Sequence, residues 1–408
     1  MHVRPVLLVA VAAVCALTVP PALAGPAGPH PGTTRRAPQP RVSSADEPVT
    51  TVPARTSRHP RTTTSDEVGW QVAPGVTYSS WRQTDARGPV VAHLLTIDPS
   101  TPGLRIDYAS GATVRQVATV AHLVEEAGGV AGVNGDFYDI GRTGAPLGVG
   151  ADPRHGLLHA PRSGWNDAFF LDRRGRPRIG ELPMAARVLH HPRLRITNLN
   201  SPYVAPGGIG AYTPAWGRTA GYRVVLGQHR RVRSVLVQHG RVVRNRARLS
   251  VGRPVDGVLL VGRGRGARLL RDRLPVGSRA RTRWSLAGHP RMAISGDHFL
   301  VRAGVVTAVD DRVVAPRTAV GIDRSTGDVL LLVVDGRSRR SRGSTMVELA
   351  DLMVDLGADD ALNLDGGGSS TMVGPEETGS FAVLNTPSDG FERRVADALS
   401  IGYQAPAG

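Results

Sequence analysis

Residues 363–373 run NLDGGGSSTMV, the densest set of chemically able groups in the chain. Three consecutive glycines, Gly366, Gly367 and Gly368, cost backbone entropy, which a fold tolerates where the main chain takes positive φ or another molecule comes close. Backbone N–H groups of such a turn, aided by the hydroxyls of Ser369 and Ser370, form an anion-holding nest. Asp365 beside them offers acid–base or nucleophilic capacity, and Asn363 adds an amide. A glycine–serine run also suggests a phosphate-binding P-loop, but the chain has no lysine at all. That absence excludes a P-loop and a Schiff base alike. Neither a Gly-x-Ser-x-Gly elbow nor a His-Glu-x-x-His pair is present.

Four further places carry acidic, amide or guanidinium groups at the ends of apolar runs. Asn134-Gly135-Asp136-Phe137-Tyr138 joins an amide and a carboxylate at a turn, which an Asx cap alone also explains. Pro316-Arg317-Thr318 opens a strand where Arg317 can clamp an anion bidentately, with Thr318 beside it; a surface arginine is the plainer alternative. Asp335-Gly336-Arg337 ends an apolar strand, where Asp335 can be base, nucleophile, metal ligand or turn former. Glu348 sits three residues after Thr345, so a capping box accounts for it without any catalytic role.

These groups need elements to position them. Residues 114–126 (VRQVATVAHLVEE) have helical spacing, stopped by Gly128-Gly129, and a strand over 130–133 delivers Asn134 and Asp136. Residues 345–356 form a second helix, stopped by Gly357, and a strand over 361–364 delivers Asp365 and the glycines. Either an internal repeat or coincidence explains this shared pattern. Residues 318–322 and 329–334 read as a hairpin around 323–328. The run VLLLVV at 329–334 is apolar on both faces and therefore central. With the helix at 345–356 and the strand at 361–364 it makes a β-α-β unit, which puts Asp335 and Asp365 on one sheet edge. Short alternating runs between about 169 and 300 read as antiparallel strands. The fold class is α+β: a β-rich mixed sheet with a few helices and one β-α-β unit near the C-terminus.

Residues 1–24 have a positive n-region at Arg4, a short apolar stretch and an Ala-Leu-Ala cleavage site, and read as a cleaved Sec-type signal peptide. Residues 25–66 are rich in Pro, Thr and Arg with few bulky apolar side chains, and read as a disordered linker. Residues 67–405 form one domain, with a split near Phe170 as the alternative. The single cysteine, Cys15, lies in the leader, so the mature chain has no disulfide and no thiol nucleophile. The product is secreted or cell-wall associated, with no stable membrane anchor after cleavage. Its net charge of +16 comes from 50 basic residues, all arginine, which reads as codon bias toward GC-rich triplets. With 4% aromatic residues, no specific nucleic-acid partner is expected, whereas an anionic glycan remains compatible.

Together VNGDFYD at 133–139 with the later APLG, APRTAVGID at 315–323, VVDGR at 333–337 and the block at 344–373 resemble the phosphodiester glycosidase family. The resemblance covers roughly 114–403, with little match in the centre. It implies a secreted hydrolase that cleaves a sugar-1-phosphodiester in a cell-envelope or exopolysaccharide glycan. On that chemistry Arg317, Arg337, Ser369 and Ser370 serve the phosphate and Asp136, Asp335 and Asp365 the sugar. Glu348 completes the catalytic candidates; Asn134, Thr318, Asn363 and Gly366 to Gly368 complete the binding ones. No cofactor is required, and a divalent cation held by the acids is compatible. The oligomeric state is left open. A non-catalytic anionic-glycan module and a metal-dependent phosphodiesterase are the rival readings.

Overall fold

A computed structural model of the chain describes residues 42–44, 47–53, 55 and 62–406. The leader read over 1–24 lies outside the described residues. The α+β class holds, with strands dominating. The described residues form one compact unit.

The run VLLLVV explains the layering. Val329, Leu331 and Val333 point into one core with Leu95, Ile97, Val320 and Leu362, while Leu330, Leu332 and Val334 point into another with Leu349, Leu352 and Met353. A strand covered on both faces must be apolar at every position, and each such side chain contributes roughly 1.5–3 kcal/mol by leaving water. The eight-stranded sheet it centres runs Thr63–Ala73, Val76–Asp85, Gly88–Ile97, Val329–Val334, Arg317–Ile322, Asp360–Asn363, His298–Arg302 and Val305–Val306. Facing it is a five-stranded sheet of Phe381–Val383, Met372–Pro375, Ala131–Asn134, Asp397–Tyr403 and Leu104–Ser110. Ile106, Val133, Leu399 and Ile401 fill the space between the two sheets. Helix α1 (Val120–Glu126) covers the outer face of the second sheet through Val120, Leu123 and Val124.

The expected β-α-β unit needs one correction. Val329–Val334 and Asp360–Asn363 run in the same direction but are not hydrogen-bonded to each other, because Arg317–Ile322 lies antiparallel between them. The edge prediction survives this change. Arg317 pairs with Val334 and Ala319 with Asn363, so Arg317, Asp335 and Asp365 all emerge at one edge.

Two other expectations shift. The helix read from 114 begins only at Val120, because the Thr119 hydroxyl caps it by accepting from the His122 N–H at 3.3 Å. Residues 113–118 instead approach the edge near Val395, where Ala118 forms a β-bridge. The segment read as a linker up to 66 is structured where it is described: Thr50–Thr51 pairs with Val313–Val314, and a long strand starts at Thr63. Composition measured its lack of core residues, not its polar anchors.

The other helices are α2 (Arg265–Arg273), which the sequence reading passed over, and α3 (Met346–Asp355). The central residues form a second lobe, built on a ten-stranded sheet whose far end is Asn198–Leu199, Ile209–Tyr212, Val258–Arg263, Val232–Gln238 and Arg241–Arg246. α2 packs there through Ala267 and Leu270.

Candidate active site

Asn134 is the clip at the centre of the site. Its side-chain N–H donates to the Asp365 carbonyl at 2.6 Å, and its Oδ1 accepts from Thr318 Oγ1 at 2.8 Å and from the Thr371 N–H at 3.1 Å. The Asp365 N–H donates to the Gly135 carbonyl at 3.0 Å. The turns read at 134–138 and 363–373 therefore meet, and Thr318 is part of the join. All three side chains are buried, so each bond is made away from competing water.

Asp365 emerges from this clip fully buried, and neither carboxyl oxygen makes a hydrogen bond among the described residues. Burial pushes it up to about 7, although the neighbouring hydroxyls of Ser369 and Ser43 favour the charged form. The hydroxyls of Ser370 and Thr371 are also buried without a partner among the described residues, and that of Ser369 has only Asp365 beside it. Such a concentration of unpartnered polar atoms is costly in a core. It singles out this cluster as the candidate site.

The glycine turn does hold an anion, one from the chain itself. The Gly368 N–H donates to Glu47 Oε1 at 3.1 Å, Arg393 Nη1 donates to the same oxygen at 2.7 Å, and Arg337 Nη2 donates to Oε2 at 2.6 Å. Gly367 takes φ of +61°, and a Cβ there would collide with the Glu47 carboxylate, so both conformation and space demand glycine. Burial works against the Glu47 charge, yet the two guanidiniums and the Gly368 amide outweigh it and lower its pKa. Arg317 lies nearby, its guanidinium donating to the carbonyls of Ser344 and Val313 at 3.2 and 3.1 Å, with no carboxylate bound to it among the described residues. A cavity of about 150 Å³ opens beside these groups, lined by Glu47, Phe137, Asp297, Arg317, Arg337, Asn363, Gly366 and Gly367. Asn363 donates to Asp297 Oδ1 at 2.7 Å. A hollow in the central lobe around Tyr212 and Trp216 has room for about 10 Å³, too little for a substrate.

Asp136 backs the site through its neighbour Phe137. Its Oδ2 accepts from the Gly148 N–H at 2.7 Å, and its own N–H donates to Asp397 Oδ1 at 2.7 Å. Burial, then the Asp397 charge, raise Asp136 well above the usual carboxyl range, and burial takes Asp397 to about 7. Tyr108 donates to Asp397 at 3.1 Å and meets His159 at 2.7 Å, completing a dry polar chain.

Asp335 and Glu348 have other partners. Asp335 Oδ1 accepts from Asn385 Nδ2 and the Thr386 N–H, and its Oδ2 faces His93 Nε2 at 3.3 Å. Through Asn385, which also accepts from the Met372 N–H, it braces the strand after the glycine turn. Glu348 forms the predicted capping box with Thr345 and is bound by Arg87 and Arg342 at 2.8 Å each. With every lone-pair direction taken, it ties α3 to the Asp85–Arg87 turn and stands apart from the cavity. A catalytic role for Glu348 has no geometric support.

Sequence reasoning missed Glu47, Asp297 and Arg393. Gly296-Asp297 does follow an apolar strand, the signal that singled out Asp365; Glu47 and Arg393 come from segments with no such signal. Among the described residues no three His, Cys, Asp or Glu side chains stand together as a metal-ligand set. No helix among them is long and apolar enough to cross a membrane.

Comparison with known proteins adds an independent line. The phosphodiester glycosidase family model matches residues 219–402, so the match takes in the glycine turn and Arg393 but not the Asn134 segment clipped to them. This is narrower than the 114–403 read from the motifs, and it begins inside the central lobe. A prophage-derived uncharacterized protein of Bacillus subtilis, YomE, is 42% identical over 101 residues, 25% of this chain. The Bos taurus N-acetylglucosamine-1-phosphodiester alpha-N-acetylglucosaminidase is 46% identical over 61 residues, 15% of this chain. The chain spans only 15% and 11% of the lengths of these two relatives. A solved Burkholderia pseudomallei protein described as exported superposes with a TM-score of 0.65 at 20% identity, over 85% of this chain and 97% of that one, which places the fold.

Proposed function

We propose that this chain is an exported phosphodiester glycosidase that hydrolyses the bond between a sugar C1 and a phosphodiester in an envelope or extracellular glycan. The observation that supports it most is the carboxylate of Glu47 held by Arg337, Arg393 and the Gly368 amide beside a buried, unpartnered Asp365. In this reading the Glu47 oxygens stand in for phosphate oxygens, and Arg317 supplies further positive charge. The sugar lies on the side of Asp365, Asn363 and Phe137.

The chemistry follows from these positions. Water adds to C1, the bond from C1 to the phosphate oxygen breaks, and its electron pair leaves on a phosphomonoester that the arginines stabilise. Asp365, in its charged form, takes the proton from the attacking water. A group titrating near 7 suits that task at neutral pH, and the leaving phosphate needs little acid assistance. Asp335 braces the glycine turn, and Asp136 holds the Phe137 wall. Neither needs to touch the reacting atoms.

The test is product identity and rate with the purified chain and a soluble sugar-1-phosphodiester. Free sugar and a phosphomonoester are expected, and Asp365→Asn lowers the rate by on the order of 10²–10⁴-fold. Release of sugar phosphate, abolished by a chelator, would instead identify a phosphodiesterase. An unchanged rate in Asp365→Asn sinks the assignment of the site.

A further inference from the structure

Residues 184–290 hold twenty-one arginines and two acids, Asp256 and Asp272. The chain as a whole is +16, so everything outside this stretch is net acidic. Codon bias explains arginine in place of lysine, but the rest of the chain, under the same bias, keeps 32 acids beside 29 arginines. The scarcity of acids in this one lobe therefore has another cause.

Strand register shows where the charge goes. Arg187 lies directly opposite Arg283 on one side and Arg195 on the other, and Arg279 lies opposite Arg241. Arg193, Arg281 and Arg279 extend the same rows, because the residues between them, Leu194, Ala280 and Thr282, turn the other way. Met184, Ala186 and Val188 are buried beneath. Seven arginines, all exposed, thus lie side by side on the strands at 184–188, 241–246 and 282–286 and on the bridged segments 193–195 and 279–281. Neither acid of the lobe relieves them: Asp272 pairs with Arg271, and Asp256 accepts from Gln238. Like charges directly opposite on a sheet destabilise it. A face that keeps seven of them gains only when an external polyanion covers it.

We propose that this face binds a linear phosphate-linked glycan polymer. Its geometry suits a chain of regularly spaced phosphates, since alternate residues along a strand are about 6.6 Å apart and neighbouring strands about 4.8 Å. Nucleic acid fits less well. The aromatic residues of the lobe are withdrawn from the surface: Trp216 and Tyr212 are buried against each other, Tyr203 packs under Arg263, Tyr222 on His229, and Trp284 faces the core. No stacking platform is left for bases. The choice of a phosphate-linked glycan rests on the proposed function; the polyanion face itself does not.

The experiment measures binding of the full chain to poly(glycerol phosphate) over a series of salt concentrations, for the wild type, for the triple variant Arg187→Ser, Arg195→Ser, Arg283→Ser, and for the corresponding triple Lys variant. Loss of three charges should lower the slope of log affinity against log salt by about 2, at roughly 0.7 per neutralised phosphate, and weaken low-salt binding at least tenfold. The Lys variant should retain both. Turnover of a small soluble sugar-1-phosphodiester should be the same in all three, which reads the catalytic proposal separately and shows that the variants are folded. Equal polymer affinity and slope in the Ser variant overturn the inference. So does duplex DNA bound as tightly as the glycan polymer at equal phosphate concentration.

Discussion

At the scale of single residues, the site is a set of carboxyls held out of water. Burial pushes Asp365 and Asp397 up to about 7, and burial with the Asp397 charge raises Asp136 well above the usual carboxyl range. Catalysis that uses charged Asp365 should rise as pH passes through about 7, read as the ascending limb of a pH–rate profile. Stability should move the opposite way. These groups bind protons more tightly folded than unfolded, so their contribution is complete below about 4 and is lost as pH rises through about 7. His159, lowered to about 4 by burial, opposes them between about 6.5 and 4, because its contribution fades as pH falls. The decline in melting temperature should therefore be clearest between pH 6.5 and 8, and Asp397→Asn should flatten it. A melting temperature that climbs over that interval contradicts the assignment. Glu47 carries a prediction of its own. It occupies the anion position through two guanidiniums and an amide, so Glu47→Ala should lower KM for a phosphodiester at least tenfold, the equivalent of about 1.5 kcal/mol for one charged hydrogen bond. An unchanged KM would mean that substrate does not use this position.

At the scale of elements, local chemistry was legible and distant partnership was not. Thr345 and Glu348 mark the start of α3, and Gly357, with φ of +96°, marks its end; all three signals lie in the helix or within two residues of it. Thr345→Ala should cost about 1 kcal/mol in chemical denaturation, and more if the freed Glu348 loses its arginine partners. A loss below the error of the measurement would show that Arg87 and Arg342 alone hold the helix end. The apolar pattern of 329–334 also gave its central position. By contrast, nothing near Asp335 announces that Asn385, Thr386 and His93 will occupy its oxygens. Nothing near Glu47 announces Arg337, 290 residues away. The order of strands was misjudged for the same reason: a hairpin partner can be read from its turn, but Arg317–Ile322 slips between two strands that sequence alone would join. α2 escaped notice because Gly264 gives its start no side-chain cap.

At the scale of the whole molecule, charge is divided between regions. The sandwich that carries the candidate site is net acidic and the central lobe strongly basic, so a single net charge describes neither. Read as an average, +16 hid a face with no acids to balance it. Steering by such a face falls off beyond about 8 Å at physiological salt, so it acts on a polymer lying against the lobe rather than on substrate at a distance.

The Asn134 clip has a consequence for the order of events as the chain folds. Its three hydrogen bonds span 184, 231 and 237 residues. Contacts of such separation form only after the entropy of closing long loops has been met, and they belong to the slow part of folding. The first half of the chain emerges bearing Asn134 and Phe137, yet the hollow that Phe137 lines with Asn363, Gly366 and Gly367 does not exist until the last eighty residues have docked. A site assembled this way is absent from every partial chain and forms only in the finished molecule.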